Sequence, residues 1–210
     1  MFGDPMLNEK GWKTINIWEY LKIKHGFAFK SEFFSEEWNF ILLTPWHFLE
    51  NWWFKSRENK EKFYKWSFPD EYLLSKNDML VAMTEQAPWL LWSIIFTPES
   101  WIYLHNQRLW LLKYDKNKLN NYFIFYVFAN HNFRKNIQQT SVWTKVKHTS
   151  PTKIQEIRII LPPITLQNKF ATIVQKNEKN IKKQKESLKK LEELYNTTMQ
   201  KSFTPLNTKK

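Results

Sequence analysis

The chain has 210 residues, a formal net charge of +12 at pH 7 and no Cys. This length suits one domain plus an extension, and the lack of Cys excludes disulfides and thiolate zinc sites and is typical of a cytoplasmic protein. The positive charge favours a polyanionic partner such as nucleic acid. The sequence has no run of about 20 apolar residues, so no membrane-spanning helix is predicted.

The N-terminal part of the chain predicts short strands. Residues 1–10 indicate a loose lead-in, and the segment from Gly11 predicts a short strand or helix that ends in a turn at His25 and Gly26. The apolar run 40–43 is closed by a Thr-Pro pair, which predicts a buried strand that ends there.

A polar loop follows over residues 49–68 and is rich in Lys and Arg. Most such charges are solvated surface, and Glu58 and Glu61 balance some of them. Lys55 and Arg57 remain as candidates for contact with nucleic-acid phosphates, since basic groups of this kind set the register of a protein on a duplex.

The central part of the chain predicts a buried sheet and a helix. Asn77 lies in a predicted turn before the apolar run 79–83, which predicts a central strand. Further strands are predicted around 94–96 and over 102–112. The aromatic segment 120–131 predicts a helix whose apolar face belongs to the core.

The last quarter of the chain predicts a final strand over 157–161 and then one long helix. Pro162 and Pro163 separate the two, because proline ends a strand and is not tolerated inside a helix. A helix of about 38 residues spans roughly 55–60 Å, more than a domain of this size covers with its own core.

Apolar residues recur along this predicted helix at steps of seven, which is the heptad repeat of a coiled coil. We therefore expect the helix to protrude and to pair with another long helix, and the alternative is a solvated helix that packs on its own domain. The residues that we expect to make the pairing are Ile173, Val174, Ile181, Leu188, Leu191 and Tyr195.

The segment LPPITLQ at 161–167, the Lys-rich helix and the segment LEELYNTTMQKSF at 191–203 resemble the specificity subunits of type I restriction–modification systems. In that family a target-recognition domain runs into a conserved helix through a Pro-Leu-x-Glu-Gln-like turn. Gln167 fits this pattern, whereas Leu166 stands in place of the Glu and leaves the capping of the helix start open.

The resemblance implies an α+β fold. A globular target-recognition domain with a mixed sheet would occupy residues 1–161, a long spacer and dimerisation helix residues 162–204, and a tail residues 205–210. The family's full subunits usually contain two such domain-and-helix units, and this chain contains one. It is thus expected to be either a natural half-size subunit or a fragment of a larger one.

The resemblance also implies a function without a catalytic step or cofactor. The subunit would bind double-stranded DNA and direct methylation and restriction to a bipartite site, in the cytoplasm and away from any membrane. Its expected partners are a methyltransferase subunit, a motor-nuclease subunit, and a second copy or second specificity half that pairs with the long helix.

Base reading requires Arg, Lys, Asn or Gln side chains that extend from loops. Gln107 and Arg108 resemble the family's Gln-Arg segment, although their position beside a strand makes a structural role the alternative. The complete set of candidate DNA-binding residues is Lys55, Arg57, Thr84, Gln86, Gln107, Arg108, Lys145, Lys147 and His148.

Signals for an enzyme are poor. The Pro-Pro pair lacks the preceding acid or amide of an amino-methyltransferase, Glu58 and Lys60 lack the further carboxylates of a metal-dependent nuclease, and no phosphate-binding loop is present. Five scattered His argue against a metal site. The remaining alternative is a coiled-coil interaction module, or a decayed fragment, without its own DNA specificity.

Twelve Trp and three Gly are an unusual combination, because an average protein of this length has about 15 Gly. Several Trp lie in polar, turn-like segments, such as Trp46 and Trp89 directly after prolines. One interpretation is exposed indoles that stack on bases. The other is that a codon meaning glycine in the source organism, as UGA does in some bacterial lineages, is translated here as tryptophan. Trp12 is the exception, since the family commonly opens its domain with a Trp.

Overall fold

The computed structural model describes residues 1–37, 39–49, 54–57, 60–83, 91–140 and 157–203. In this part of the chain, strands β1 to β10 are Thr14–Asn16, Leu21–His25, Phe34–Ser35, Ile41–Leu42, Phe63–Tyr64, Met79–Ala82, Ile94–Phe96, Tyr103–Leu104, Leu109–Tyr114 and Arg158–Ile160. Helices α1 to α3 are Asn121–Ala129, His131–Thr140 and Ile164–Phe203. The predicted α+β fold with a long C-terminal helix is confirmed.

Three small sheets make up the globular part. An antiparallel sheet has the strand order β2-β9-β6-β7, and a second sheet has the order β3-β5-β4-β8 with β4 and β8 parallel. The third is the antiparallel pair β1-β10, which joins the start of the domain to the strand that precedes the long helix. The second sheet is therefore mixed, as predicted.

Strand β6 lies between two layers of core, and all four of its residues are buried. Met79 and Val81 belong to the main cluster, which includes the buried residues of α1, whereas Leu80 and Ala82 pack in a second cluster on the other face. A strand buried on both faces needs an apolar residue at every position, which accounts for the uninterrupted run in the sequence.

The N-terminal segment is part of the core, and the prediction of a loose lead-in was wrong. Phe2 is 1% exposed and its ring lies 5.2 Å from that of Phe123 and 5.0 Å from that of Phe170. Trp12 contributes to the same arrangement, because its indole N–H donates to the Phe2 carbonyl at 3.0 Å. Isolated aromatic residues carry no periodicity, so the sequence pattern did not reveal this packing.

The predicted strand over 102–112 is two strands, β8 and β9, with a tight turn at 105–108 between them. The backbone of Phe27 holds this turn, donating to the His105 carbonyl and accepting from the Gln107 N–H, both at 2.9 Å. Gly26 is required here, since a Cβ at this position would collide with the carbonyl of Asn106.

Helix α3 has 40 residues and is about 60 Å long. Its N-terminal part contacts the domain, where Gln167 and Ala171 are buried and Val174 and Ile181 line a cleft, whereas residues 182–203 are exposed throughout. The apolar stripe thus runs along a protruding helix. No described helix is both long enough and apolar enough to cross a membrane.

Candidate nucleic-acid interface

The loop with Lys55 and Arg57 follows β4 through a short 3-10 helix, Pro45–His47. The loop is fastened by its backbone, because the Lys55 N–H donates to the His47 carbonyl at 2.8 Å and the Arg57 N–H donates to Oε1 of Glu61 at 2.6 Å. The Lys55 side chain is exposed and that of Arg57 is half-buried. The structure thus presents both basic groups from an anchored loop.

His47 and Glu61 form a buried pair behind this loop, with side chains 0% and 7% exposed. The Thr44 N–H lies 3.0 Å from Nδ1 of His47, so Nδ1 accepts and Nε2–H donates to Oε2 of Glu61 at 2.7 Å. The nearby phenol of Tyr103 has its pKa raised by burial and by the charges of Glu61 and Glu99.

Gln107 and Arg108 are exposed in the turn between β8 and β9. Their backbone is fixed, since the Arg108 N–H donates to the Asn106 side chain at 3.0 Å and the Arg108 carbonyl accepts from the Met83 N–H at 3.2 Å. Among the described residues, no hydrogen bond or ion pair engages either side chain, so both are available to a ligand.

The imidazole of His105 supports this turn from inside. It is fully buried, and its Nε2–H donates to the Leu109 carbonyl at 2.9 Å. Burial lowers the pKa of His105 from 6.5 to about 4, and its hydrogen bond to Leu109 opposes this shift in part. The ring is therefore neutral at physiological pH.

The two described sets of candidate residues lie at opposite ends of β6. Ala82, at one end, pairs with Leu109 next to Gln107 and Arg108. Met79, at the other end, pairs with Phe96, and the Phe54 that precedes Lys55 lines a cleft with Phe96 and Pro98. Lys55 and Arg57 therefore do not converge with Gln107 and Arg108 on one small patch.

The other candidates, Thr84, Gln86, Lys145, Lys147 and His148, lie outside the described residues. Of the tryptophans in the turn-like segments, Trp52, Trp53, Trp89 and Trp143 lie outside them as well, whereas Trp46 is described and 53% exposed.

The root of α3 is fixed by one amide side chain. Gln167 is fully buried, donates to the carbonyls of Lys118 and Pro162 at 3.0 and 2.8 Å, and accepts from the Asn120 N–H at 2.9 Å. Leu166, which replaces the family's Glu, packs against the main core. The helix start is thus held by packing and by Gln167.

The predicted pairing residues form an exposed stripe along α3. The exposed fractions are 43% for Ile173, 44% for Ile181, 56% for Leu188, 63% for Leu191 and 64% for Tyr195, and Val174 is half-buried. Val174 and Ile181 line an apolar cleft of about 570 Å³ with aromatic residues of the domain. The structure thus exposes these residues, and their pairing with another helix stays a prediction.

Sequence reasoning did not find the His47–Glu61 pair or the anchoring role of Gln167. The position of Gln167 after the Pro-Pro pair was a signal, but two of its three hydrogen bonds reach residues 47 and 49 positions away in the chain. His47 and Glu61 are 14 residues apart, and the sequence between them has no periodic pattern that would link the two.

Comparison with known proteins agrees with this architecture. Residues 9–193 match the sequence profile of the family described as type I restriction modification DNA specificity domain. None of the curated proteins compared with the chain by sequence matches it.

Two solved structures share the fold. One, solved to explain complex assembly and conformational transition of the type I R-M system, has a TM-score of 0.55 and 13% identity over 91% of this chain and 43% of its own. The other, the S subunit of a type I restriction-modification system from M. genitalium, has a TM-score of 0.50 and 15% identity over 74% of this chain and 36% of its own. The chain thus spans less than half the length of either structure.

Proposed function

The chain belongs to the family of type I restriction modification DNA specificity domains, and from this premise we propose that it is the sequence-specific DNA-binding specificity subunit of a type I restriction–modification complex. It directs methylation and restriction to a bipartite DNA site. The observation that carries the proposal is the family match, which extends over both the globular part and most of α3.

Double-stranded DNA is the proposed ligand. The net charge of +12 supplies the electrostatic attraction to phosphates, and two fastened turns present Lys55, Arg57, Gln107 and Arg108 to solvent. We assign Gln107 and Arg108 to base reading, because Gln and Arg make bidentate contacts to A and G. Lys55 and Arg57 lie at the opposite end of β6 from Gln107 and Arg108, so the DNA contacts either both of these sets or one of them.

The catalytic steps belong to the partners. We propose that the chain docks a methyltransferase subunit, that a motor-nuclease subunit joins for restriction, and that all of these act in the cytoplasm where the DNA is. The chain itself contributes recognition and spacing without a cofactor.

The globular part and the long helix have different roles in this proposal. We assign target recognition to residues 1–161 and spacing and dimerisation to residues 162–204, which include α3, with 205–210 as a tail outside the described residues. The stripe on α3 is the pairing surface, because seven-residue spacing keeps apolar side chains on the face turned toward a partner helix.

We propose that two copies pair their α3 helices antiparallel. Leu188 then lies at the centre, and Ile181 of each copy faces Tyr195 of the other, since these residues are seven positions to either side of it. The two helix starts at Ile164 then lie 24 residues to either side of Leu188, so two identical domains held about 70 Å apart read a symmetric, interrupted site.

The test is methyl transfer in vitro. The methyltransferase subunit is purified alone and with this chain, and transfer of labelled methyl groups to genomic DNA of an unmethylated host is measured. The proposal predicts transfer only when the chain is present. A stable complex that transfers no methyl groups, or transfer that does not depend on the chain, would contradict it.

A further inference from the structure

The loop that presents Lys55 and Arg57 is organised from behind by the buried His47–Glu61 pair. We propose that His47 and Glu61 are positioning residues, which hold this loop in the conformation that contacts DNA phosphates. The inference rests on the proposed function, because it assigns a role within DNA binding.

The geometry is a chain of hydrogen bonds that ends on the loop backbone. Nε2 of His47 lies 2.7 Å from Oε2 of Glu61, and the other carboxylate oxygen accepts from the Arg57 N–H at 2.6 Å. The His47 carbonyl accepts from the Lys55 N–H at 2.8 Å. The two residues of the pair thus fix the backbone on either side of Ser56.

Burial of this pair needs a reason. An ionised carboxylate that is only 7% exposed is costly unless it is fully paired, and a loop that merely carries solvated lysines gains nothing from it. A loop that must place charges on a duplex gains affinity from being ordered in advance, because binding then costs less conformational entropy. The ring of His47 also stacks on Phe54, at 5.8 Å between centroids, which fixes the start of the loop.

A double-mutant cycle tests the role. The full chain in complex with its methyltransferase subunit is titrated with a fluorescently labelled duplex of mixed sequence at several salt concentrations. The slope of log affinity against log salt falls by about 0.9 for each phosphate that the protein no longer neutralises. The variants are Glu61→Ala, the pair Lys55→Ala and Arg57→Ala, and the three changes combined, and Lys183→Ala on the exposed helix is the matched control.

The proposal predicts that Glu61→Ala lowers the slope as far as the loop variant does, and that the combined variant has no lower slope than either. Glu61→Gln keeps the side-chain volume and serves if Glu61→Ala lowers the melting temperature strongly. A folded Glu61 variant with the wild-type slope overturns the proposal. So does a Glu61→Ala change that lowers the slope equally in the wild-type protein and in the variant that already carries Lys55→Ala and Arg57→Ala. If the loop variant itself keeps the wild-type slope, the loop and its support are not part of the interface, while the specificity function is still judged by methyl transfer.

A second inference is carried by backbone conformation. Of the described residues, six have φ in the left-handed region: Gly3, Gly11, Asn8, Asn77, Trp92 and Trp101. Glycine adopts this region freely and asparagine tolerates it, whereas a bulky side chain there is strained. We infer that the gene specifies glycine at positions 92 and 101, and that a reassigned codon is the source of the two tryptophans.

Trp92 lies at a position that glycine takes for a structural reason. Its N–H donates to the Ala82 carbonyl at 3.0 Å, and the Ala82 N–H donates to the carbonyl of the next residue, Ser93, at 3.0 Å. Two residues therefore face one, which is a β-bulge, and the first residue has φ +66°. In one common class of bulge this first residue is a left-handed glycine.

Trp92 is buried against a second tryptophan. Its ring lies 5.0 Å from that of Trp110, another buried tryptophan, whose Nε1 has no hydrogen-bond partner among the described residues. Buried indoles usually find an acceptor for the N–H. Trp12, by contrast, donates its N–H to Phe2 and does not have a positive φ.

The gene and the natively made protein decide this second inference. It predicts that the codons for positions 92 and 101 are UGA and that peptides from the source organism have the mass expected for glycine. UGG codons at both positions, or tryptophan in the native peptides, overturn it. As a physical check, Trp101→Gly should raise the melting temperature of the chain as written, whereas Trp66→Gly should not, since Trp66 is similarly exposed without a positive φ.

Discussion

Gln167 connects three parts of the molecule through one buried amide. Its side chain satisfies the carbonyls of Lys118 and Pro162 and the N–H of Asn120, so it ties the root of α3 to the start of α1. Replacing it with Ala leaves one buried and two partly buried backbone groups without this partner, and an unsatisfied buried group costs about 1–3 kcal/mol.

We therefore expect Gln167→Ala to lower the free energy of unfolding by about 3 kcal/mol, measured by urea denaturation. Gln184→Ala is the matched control, because Gln184 is exposed on the same helix and should have little effect. Equal stability of the two variants would show that the hydrogen bonds of Gln167 do not anchor the helix.

His105 gives the fold a pH dependence of defined sign. Its pKa is about 4 in the folded state against 6.5 when unfolded, so between these values the unfolded chain binds more protons. Stability is present in full above pH 6.5 and falls as the pH falls toward 4, by about 3 kcal/mol from this group.

The measurement is the difference in unfolding free energy between the protein and its His105→Gln variant at several pH values. Taking the difference removes the contribution of the acidic groups, which titrate in both proteins. The two stability curves should converge from pH 7 toward pH 4. Parallel curves would mean that His105 is not buried as a neutral ring.

At the scale of elements, periodic segments were predictable and irregular ones were not. The run that became β6 and the heptads of α3 were predicted correctly, because a strand buried on both faces and a long amphipathic helix leave regular apolar patterns. The turn at 105–108 contains neither Gly nor Pro and was therefore not predicted. The glycine that permits it is Gly26, which is far away in sequence.

The candidate site was predictable only as a set of residue types. Gln107 and Arg108 were singled out by resemblance, and the structure exposes both, but their role in DNA binding stays a prediction. The separation of Lys55 and Arg57 from them depends on how β6 pairs with β7 and β9, which no local pattern encodes.

The stripe on α3 yields a prediction about assembly. Ile181→Asp with Leu188→Asp places charges on the pairing face and should weaken self-association ~10-fold or more, because each buried Leu or Ile contributes about 1.5–3 kcal/mol. Sedimentation velocity measures the association. Lys182→Asp with Lys189→Asp is the matched control on exposed neighbouring positions and should pair as before. Pairing that survives the apolar changes would place the interface elsewhere.

At the scale of the whole molecule, a compact recognition domain is joined to a rigid helix about 60 Å long. In the function that we propose, the domain selects a short sequence and the helix sets the distance to the second half of the site. A homodimer presents the same domain twice, so the bipartite site it reads must be palindromic.

The methylome of the source organism shows whether this chain specifies the methylated sequence. Cells that carry this gene and its methyltransferase partner are compared with cells that lack this gene only, and modified bases are mapped across the genome. We expect a methylated bipartite motif that disappears with the gene and whose two halves are identical by symmetry. An unchanged methylome in cells where the complex assembles would contradict the specificity function, and a motif with two different halves would contradict the homodimer.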